Sequence, residues 1–311
     1  MKTYEKKPLT FDEQLLLISK RGLIIEDHEK AINSLKHISY YRLSAFYVPY
    51  QKLKDTFNTG TTFEIILETY SFDRDLRILI FDCIERIEIA IRTQIIYTLS
   101  IKYENSHWQD DSNIFKRYKS KNRVIDPHYE LQKIITKSST IKNREMFIEH
   151  YIDTYNEPIN PPSWMCLELL TIGELSRLFI GLKNSNDKQN IADYFGLPTT
   201  VFISWLHTLT YVRNICAHHS RLWNRTYAIT PNILQKPRFS WIGKLFENNK
   251  RTFYFLCTIQ YLLKSANISS QLKIKLEDLI NKYPSVSVKY IGLPTNGEDN
   301  LLDWKSEPLW N

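Results

Sequence analysis

The stretch Trp205-Leu-His-Thr-Leu-Thr-Tyr-Val-Arg-Asn-Ile-Cys-Ala-His-His-Ser-Arg-Leu-Trp-Asn224 combines groups that move protons with a group that binds phosphate. Read as a helix at about 100° per residue, it gathers Phe202, Trp205, Leu209, Val212 and Cys216 into one apolar stripe. His207, Tyr211, Asn214 and His218 fall on the opposite side, with Asn214 and His218 as i,i+4 neighbours and Arg213 on the flank. A solvent-facing helix side ordinarily carries Lys and Glu, and neither occurs between Val201 and Ser220. Imidazole gives and takes a proton near neutral pH. Guanidinium forks onto a phosphate and keeps its charge. A carboxamide can orient either by hydrogen bonds. Together these suit cleavage of a phosphodiester without a metal. RNA is the expected substrate, because its 2′-hydroxyl supplies an internal nucleophile beside the phosphorus. In this reading His218 moves the proton, Arg213 stabilises charge on the pentacoordinate phosphorus and Asn214 orients them. His219, Tyr211 and His207 are auxiliary candidates. The expected products carry a 2′,3′-cyclic phosphate and a 5′-hydroxyl.

Other chemistries fit less well. Adjacent His218 and His219 would point apart on a helix, no third ligand is evident and there is no H-E-x-x-H, so no metal or other cofactor is expected. Ser220 sits in no nucleophile elbow. Only 8 glycines occur in 311 residues, and none are spaced as G-x-G-x-x-G or G-x-x-x-x-G-K-[ST]. That argues against a Rossmann dehydrogenase, a P-loop NTPase and a protein kinase. Cys83, Cys166, Cys216 and Cys257 lie far apart in apolar contexts and read as buried free thiols. The start of the chain leads into no apolar signal-like run, and no apolar run is long enough to span a bilayer. A cytoplasmic protein with no membrane partner is expected.

The net charge of +7 is concentrated. From Lys116 to Arg144 there are nine Lys/Arg and two acids, while the other 282 residues carry 32 of each sign. Lys116, Arg117, Lys119, Lys121, Arg123, Lys133 and Lys137, beside Tyr118, His128 and Tyr129, would make a polyanion-binding surface. A solvated, flexible insertion is the plain alternative.

The elements that must position these groups read mostly at helical period. Thr10 and Glu13 form a capping box, and Glu26 to Leu35 is a second helix. Tyr40 to Tyr50 is aromatic, and Thr61 or Thr62 caps a segment running to Tyr70. The strongest helix is Asp73 to about Tyr97, with Leu76, Ile80, Cys83, Ile87, Ile91 and Ile95 in steps of three and four. Asp73–Arg77, Asp82–Arg86 and Glu88–Arg92 would support it from its solvated side. Asn156 to Pro162 breaks the pattern. Trp164 to Leu182, a helix of about 18 residues capped by Thr199 or Thr200, Arg251 to Ala266 and Gln271 to Tyr283 follow. The tail from Pro284 is irregular. With few alternating strands, the class is all-α.

Arg213-Asn-Ile-Cys-Ala-His218 fits the R-[NDH]-x-x-x-H signature of HEPN ribonucleases. The longer string to Asn224 resembles the AbiD/AbiF-type bacterial abortive-infection family more specifically. So do Lys7-Pro-Leu-Thr-Phe-Asp-Glu-Gln14, Arg21-Gly-Leu-Ile-Ile25, Ser39-Tyr-Tyr-Arg-Leu-Ser-Ala-Phe46, Phe72-Asp-Arg-Asp-Leu-Arg77, Pro161-Pro-Ser-Trp-Met165, Gly173-Glu-Leu-Ser-Arg177 and Tyr290-Ile-Gly-Leu-Pro294. The one noted departure is Ala45, where relatives often have Gly. The resemblance implies a HEPN-like helical bundle with an N-terminal helical extension and a basic insertion. It implies a phage-defence toxin that cleaves RNA as a homodimer, two R-x-x-x-x-H motifs facing each other across one composite site. A small non-coding RNA restrains some relatives as antitoxin, and the basic stretch would be its binding surface. On this reading 1–70 packs on the core, 71–110 holds the first core helix and 111–160 is the insertion. The rest of the core spans 161–283, with 284–311 as the tail. A non-catalytic RNA-binding scaffold is the alternative, and a DNA-directed repressor a weaker one, since no helix-turn-helix stands out.

Overall fold

Thr10 accepts the N–H of Glu13 while the Glu13 carboxylate returns to the Thr10 N–H, and this box opens α1 (Phe11–Lys20). Asp27 caps α2 (His28–Ile38), and Ser39 links it directly to the short α3 (Tyr40–Ser44). A computed structural model describes the chain except for residues 1, 2, 4, 6, 143 and 297–299.

Thr62 caps α4, which runs unbroken from Phe63 to Tyr103, about 60 Å at 1.5 Å per residue. The segment ending at Tyr70 and the helix from Asp73 are thus one element, since Ser71 and Phe72 contain no breaker. Its stripe Leu76, Ile80, Cys83, Ile87, Ile91 and Ile95 is buried as the periodicity requires. Of the three i,i+4 pairs expected along it, two correct the sequence reading. Asp73–Arg77 is buried, and Arg92 is buried beside Glu88. Only Asp82–Arg86 lies on a solvated face. Spacing shows that two charges can meet but not which side of the helix the fold covers.

The basic stretch is ordered by its neighbours. A hairpin of β3 (Tyr118–Ser120) and β4 (Arg123–Ile125) leads into α5 (Pro127–Thr140) and α6 (Met146–Thr154). A second small hairpin joins β1 (Gln51–Leu53) to β2 (Thr56–Phe57). The hairpin base hydrogen-bonds to Gly181 through Lys116. At Gly181 an added Cβ would lie 2.0 Å from the Pro127 ring, so only glycine lets α5 dock there.

Trp164 to Leu182 is not one helix. It divides into α7 (Ser163–Cys166), a 3₁₀ turn over Leu167–Leu169 and α8 (Ile172–Gly181), which restarts on a Thr171–Glu174 capping box. Arg92 explains the break: it donates to the carbonyls of Leu167 and Leu170 at 3.1 and 2.9 Å. The helix α9 (Ser185–Tyr194) follows, its buried Asp187 held by Lys102 and by the Tyr103 hydroxyl at the end of α4.

The helix bearing the motif, α10 (Thr199–Ala217), packs mainly on α8 and α4. Its N-cap is Pro198 rather than a threonine, because the Thr199 hydroxyl donates to Gln189 instead. Every residue of α11 (Thr252–Ser265) from Thr252 to Leu263 is buried, so its apolar character on all sides reflects a central position. No helix among the described residues is long and apolar enough to cross a membrane. After α12 (Leu272–Lys282) the tail is irregular but anchored: Trp304 and Trp310 are buried against Phe253, and Leu309 is buried as well.

All four cysteines are free and buried. Burial pushes the thiols of Cys83, Cys166 and Cys216 up to about 12, and that of Cys257 also rises. The thiolate is the reactive form. A chromogenic disulfide reagent at pH 8 should therefore titrate almost no thiol in the native protein and four after denaturation. Rapid native labelling would contradict this packing.

Candidate active site

The motif straddles the end of α10. Ala217 is its last residue and His218 the C-cap, with His219 in the left-handed region at φ +55°. The His219 N–H returns to Cys216 and the Ser220 N–H to Ile215, closing the helix as a Schellman turn. The expectation that adjacent histidines point apart holds only within a helix. Here the chain reverses between them, and His218 and His219 line one cleft of about 490 Å³. A histidine in the left-handed region costs roughly 1 kcal/mol that glycine avoids. His219→Gly should therefore raise stability by up to about 1 kcal/mol in chemical denaturation. A loss of stability would show that the imidazole itself braces the turn.

Asp73 locks the turn in place. Its Oδ1 accepts the N–H groups of Leu222 and Trp223 at 2.7 and 2.6 Å, and its Oδ2 takes Arg77. Burial pushes the carboxyl up from its ordinary value, against the pull of Arg77 and of both N–H groups. Trp223 then stacks on Tyr50 and Phe46 and packs edge-on against Tyr290, with its indole N–H on the Ser287 carbonyl. The N-terminal region and the tail thereby clamp the loop that carries the histidines.

The cleft is cationic. Besides the histidines, Arg42, Arg77, Arg221 and Arg225 line it, with no carboxylate among its lining residues. These arginines were not read as functional from sequence. Arg221 and Arg225, four residues apart just after the histidines, were the available signal, and Arg42 stood in the aromatic segment. Arg42 donates to the His219 carbonyl at 2.7 Å, Arg221 to the Ala45 carbonyl and Arg225 to the Arg221 carbonyl.

Arg213 and Asn214 do not line that cleft. The Arg213 guanidinium lies 5.8 Å from the centre of the Phe81 ring on α4 and helps draw down the pKa of Glu88, although burial leaves the Glu88 carboxyl raised. Arg213 also reaches the Asn214 carboxamide at 3.4 Å. His207 is exposed about three turns before His218. Tyr211 packs edge-on against Tyr227 and accepts the Ala228 N–H, which makes it a brace for the following loop. Lys116, Arg117, Lys119, Lys121, Arg123, Lys133 and Lys137 are all exposed, Arg117 paired with Asp126. None of the seven lines the His218 cleft. Among the described residues no three His, Cys, Asp or Glu side chains group to hold a metal ion.

A mostly helical fold carrying a motif turn of this kind defines the class. The family model described as Abi-like protein matches residues 33–224, more than half of the chain. The chain belongs to that abortive-infection family, and its setting is phage defence. No curated protein and no solved structure matches it. The match ends at Asn224, just past the histidine turn, so it includes α4, α10 and every residue lining the cleft except Arg225.

Proposed function

We propose that the protein is a metal-independent HEPN endoribonuclease acting as an abortive-infection toxin. The observation that carries this reading is His218, exposed at the end of α10 in a cleft whose charged lining is entirely cationic. His218 takes the proton of the RNA 2′-hydroxyl. The 2′-oxygen then bonds to phosphorus, the bond to the 5′-oxygen breaks, and that oxygen leaves with a proton returned by the imidazolium of His218. A 2′,3′-cyclic phosphate and a 5′-hydroxyl result.

Arg213 lies outside its own His218 cleft, which favours a site completed by a second copy. Ile78, Phe81 and Ile89 are exposed within about 80° of one another on α4, and Arg213 sits beside Phe81. Pairing through this face would bring the partner subunit's Arg213 toward His218 and bury apolar surface left in water. A small RNA antitoxin would lie on the exposed basic hairpin. That same hairpin favours the second reading, a non-catalytic RNA-binding scaffold, whose binding would be salt-sensitive without new RNA ends.

Expression in cells, followed by sequencing of RNA ends that carry 5′-hydroxyls, tests the assignment. New ends should appear with wild-type protein and disappear with Arg213→Ala. Phe81→Glu should yield a monomer by light scattering and lose cleavage with it. An active monomer would refute the composite site, and 5′-phosphate ends would refute the mechanism.

A further inference from the structure

Arginines that line a concavity without carboxylate partners are charges awaiting an anion. Arg42, Arg221, Arg225 and the neighbouring Arg251 form no salt bridge among the described residues, and the one nearby acid, Asp73, is already held by Arg77 and two backbone N–H groups. Each of the first three gives one hydrogen bond to a backbone carbonyl, and a guanidinium carries five N–H donors. Those carbonyl bonds hold the forks in place, and Arg221 also rests against the Phe46 ring. Arg221 is half-buried, and its pKa is lowered from the ordinary value chiefly by burial; Asp73 opposes the fall, and the like charges of Arg225 and Arg251 add to it.

Two further features face the same cleft. Tyr41 is 87% exposed, and among the described residues its ring pairs with no other aromatic ring and its hydroxyl makes no hydrogen bond. A free aromatic ring beside clustered arginines is how single-stranded nucleic acid is gripped, phosphate on cation and base on ring. Ser39 and His219, far apart in the sequence, both line the cleft with positive φ, 71° and 55°. Non-glycine residues held in that region gather where a site is built, since surrounding contacts must hold them there.

We propose that this cleft is a strand-binding subsite for RNA, in which Arg42, Arg221 and Arg225 hold a backbone phosphate beside His218 while an attached base stacks on Tyr41. The proposal rests on RNA being the ligand of the His218 site. It places the grip in the 39–46 segment and the 221–225 loop, apart from the basic hairpin.

The test uses the full chain and a short fluorescent RNA methylated at every 2′-oxygen, which binds but cannot be cleaved, followed by anisotropy over a salt series. Tyr41→Ala should weaken binding by roughly 5- to 100-fold, and Tyr41→Trp should restore it. Arg42→Gln and Arg225→Gln should each lower the salt slope by about 1. Tyr41 is 87% exposed, so its variants remain informative if an arginine variant melts early. Unchanged affinity and slope in proteins that melt normally would overturn the subsite. So would a nucleoside 5′-monophosphate that binds through Arg225 without displacing the RNA, because the anion would then be a free nucleotide. Ordinary RNA given to the same proteins separates the two ideas. His218-dependent cleavage with unmoved affinities removes the subsite alone. Cleft-dependent binding without any cleavage removes the nuclease alone.

Discussion

Replacing His218 with alanine should lower the rate of RNA cleavage by about 10²- to 10⁴-fold, the range that a positioned general acid or base contributes. The fold should not notice. His218 is exposed, and its N–H bond to the Asn214 carbonyl belongs to the backbone and survives the change. Stability should stay within about 0.5 kcal/mol of wild type, as for surface substitutions generally. Purified variant and wild type would be compared on unmodified RNA, with thermal melts alongside. Equal cleavage rates in equally folded proteins would remove the imidazole from the mechanism. A melt lowered by several degrees would show that His218 supports the turn.

Asp73→Ala should have the largest effect on stability, a loss of about 3–5 kcal/mol in denaturant titration. The substitution strands Arg77 in the interior and leaves the N–H groups of Leu222 and Trp223 without their acceptor. Asp73→Asn keeps an oxygen for those N–H groups and should cost less. Adding Arg77→Met should recover part of the loss, since an apolar side chain of similar volume needs no partner. The loop from His219 to Trp223 should loosen with Asp73→Ala, and amide exchange there should rise before that of α11. A cost below about 0.5 kcal/mol would mean that Asp73 does not fasten the histidine turn.

Local sequence signals identified α1 by its capping box and most of α4 and α10 by an apolar residue every third or fourth position, and α11 and α12 were also expected as helices, because caps and stripes are properties of one helix and its burial. The motif positions were equally legible: Arg213, Asn214 and His218 stand out on a helix otherwise devoid of Lys and Glu. What the chain could not say locally was which charges lie inside. Asp73–Arg77 and Asp82–Arg86 share the same spacing and type, yet one is buried and the other solvated. Only the loop at 219–223, about 150 residues away, covers the first pair and gives Asp73 its N–H partners. The helix end was hidden for the same reason. His219 adopts a left-handed conformation that its type does not announce, and that single dihedral turns two neighbours that should diverge into one cleft. Arg42 and Tyr41 join them only because the clamp around Trp223 brings the 39–46 segment against the 218–225 loop. Residue type and spacing thus set most of the helices and singled out His218 as the proposed proton carrier. Long-range packing, which depends on contacts between segments that no local pattern encodes, decided which arginines surround it and left Arg213 beside Phe81 of α4, outside the cleft.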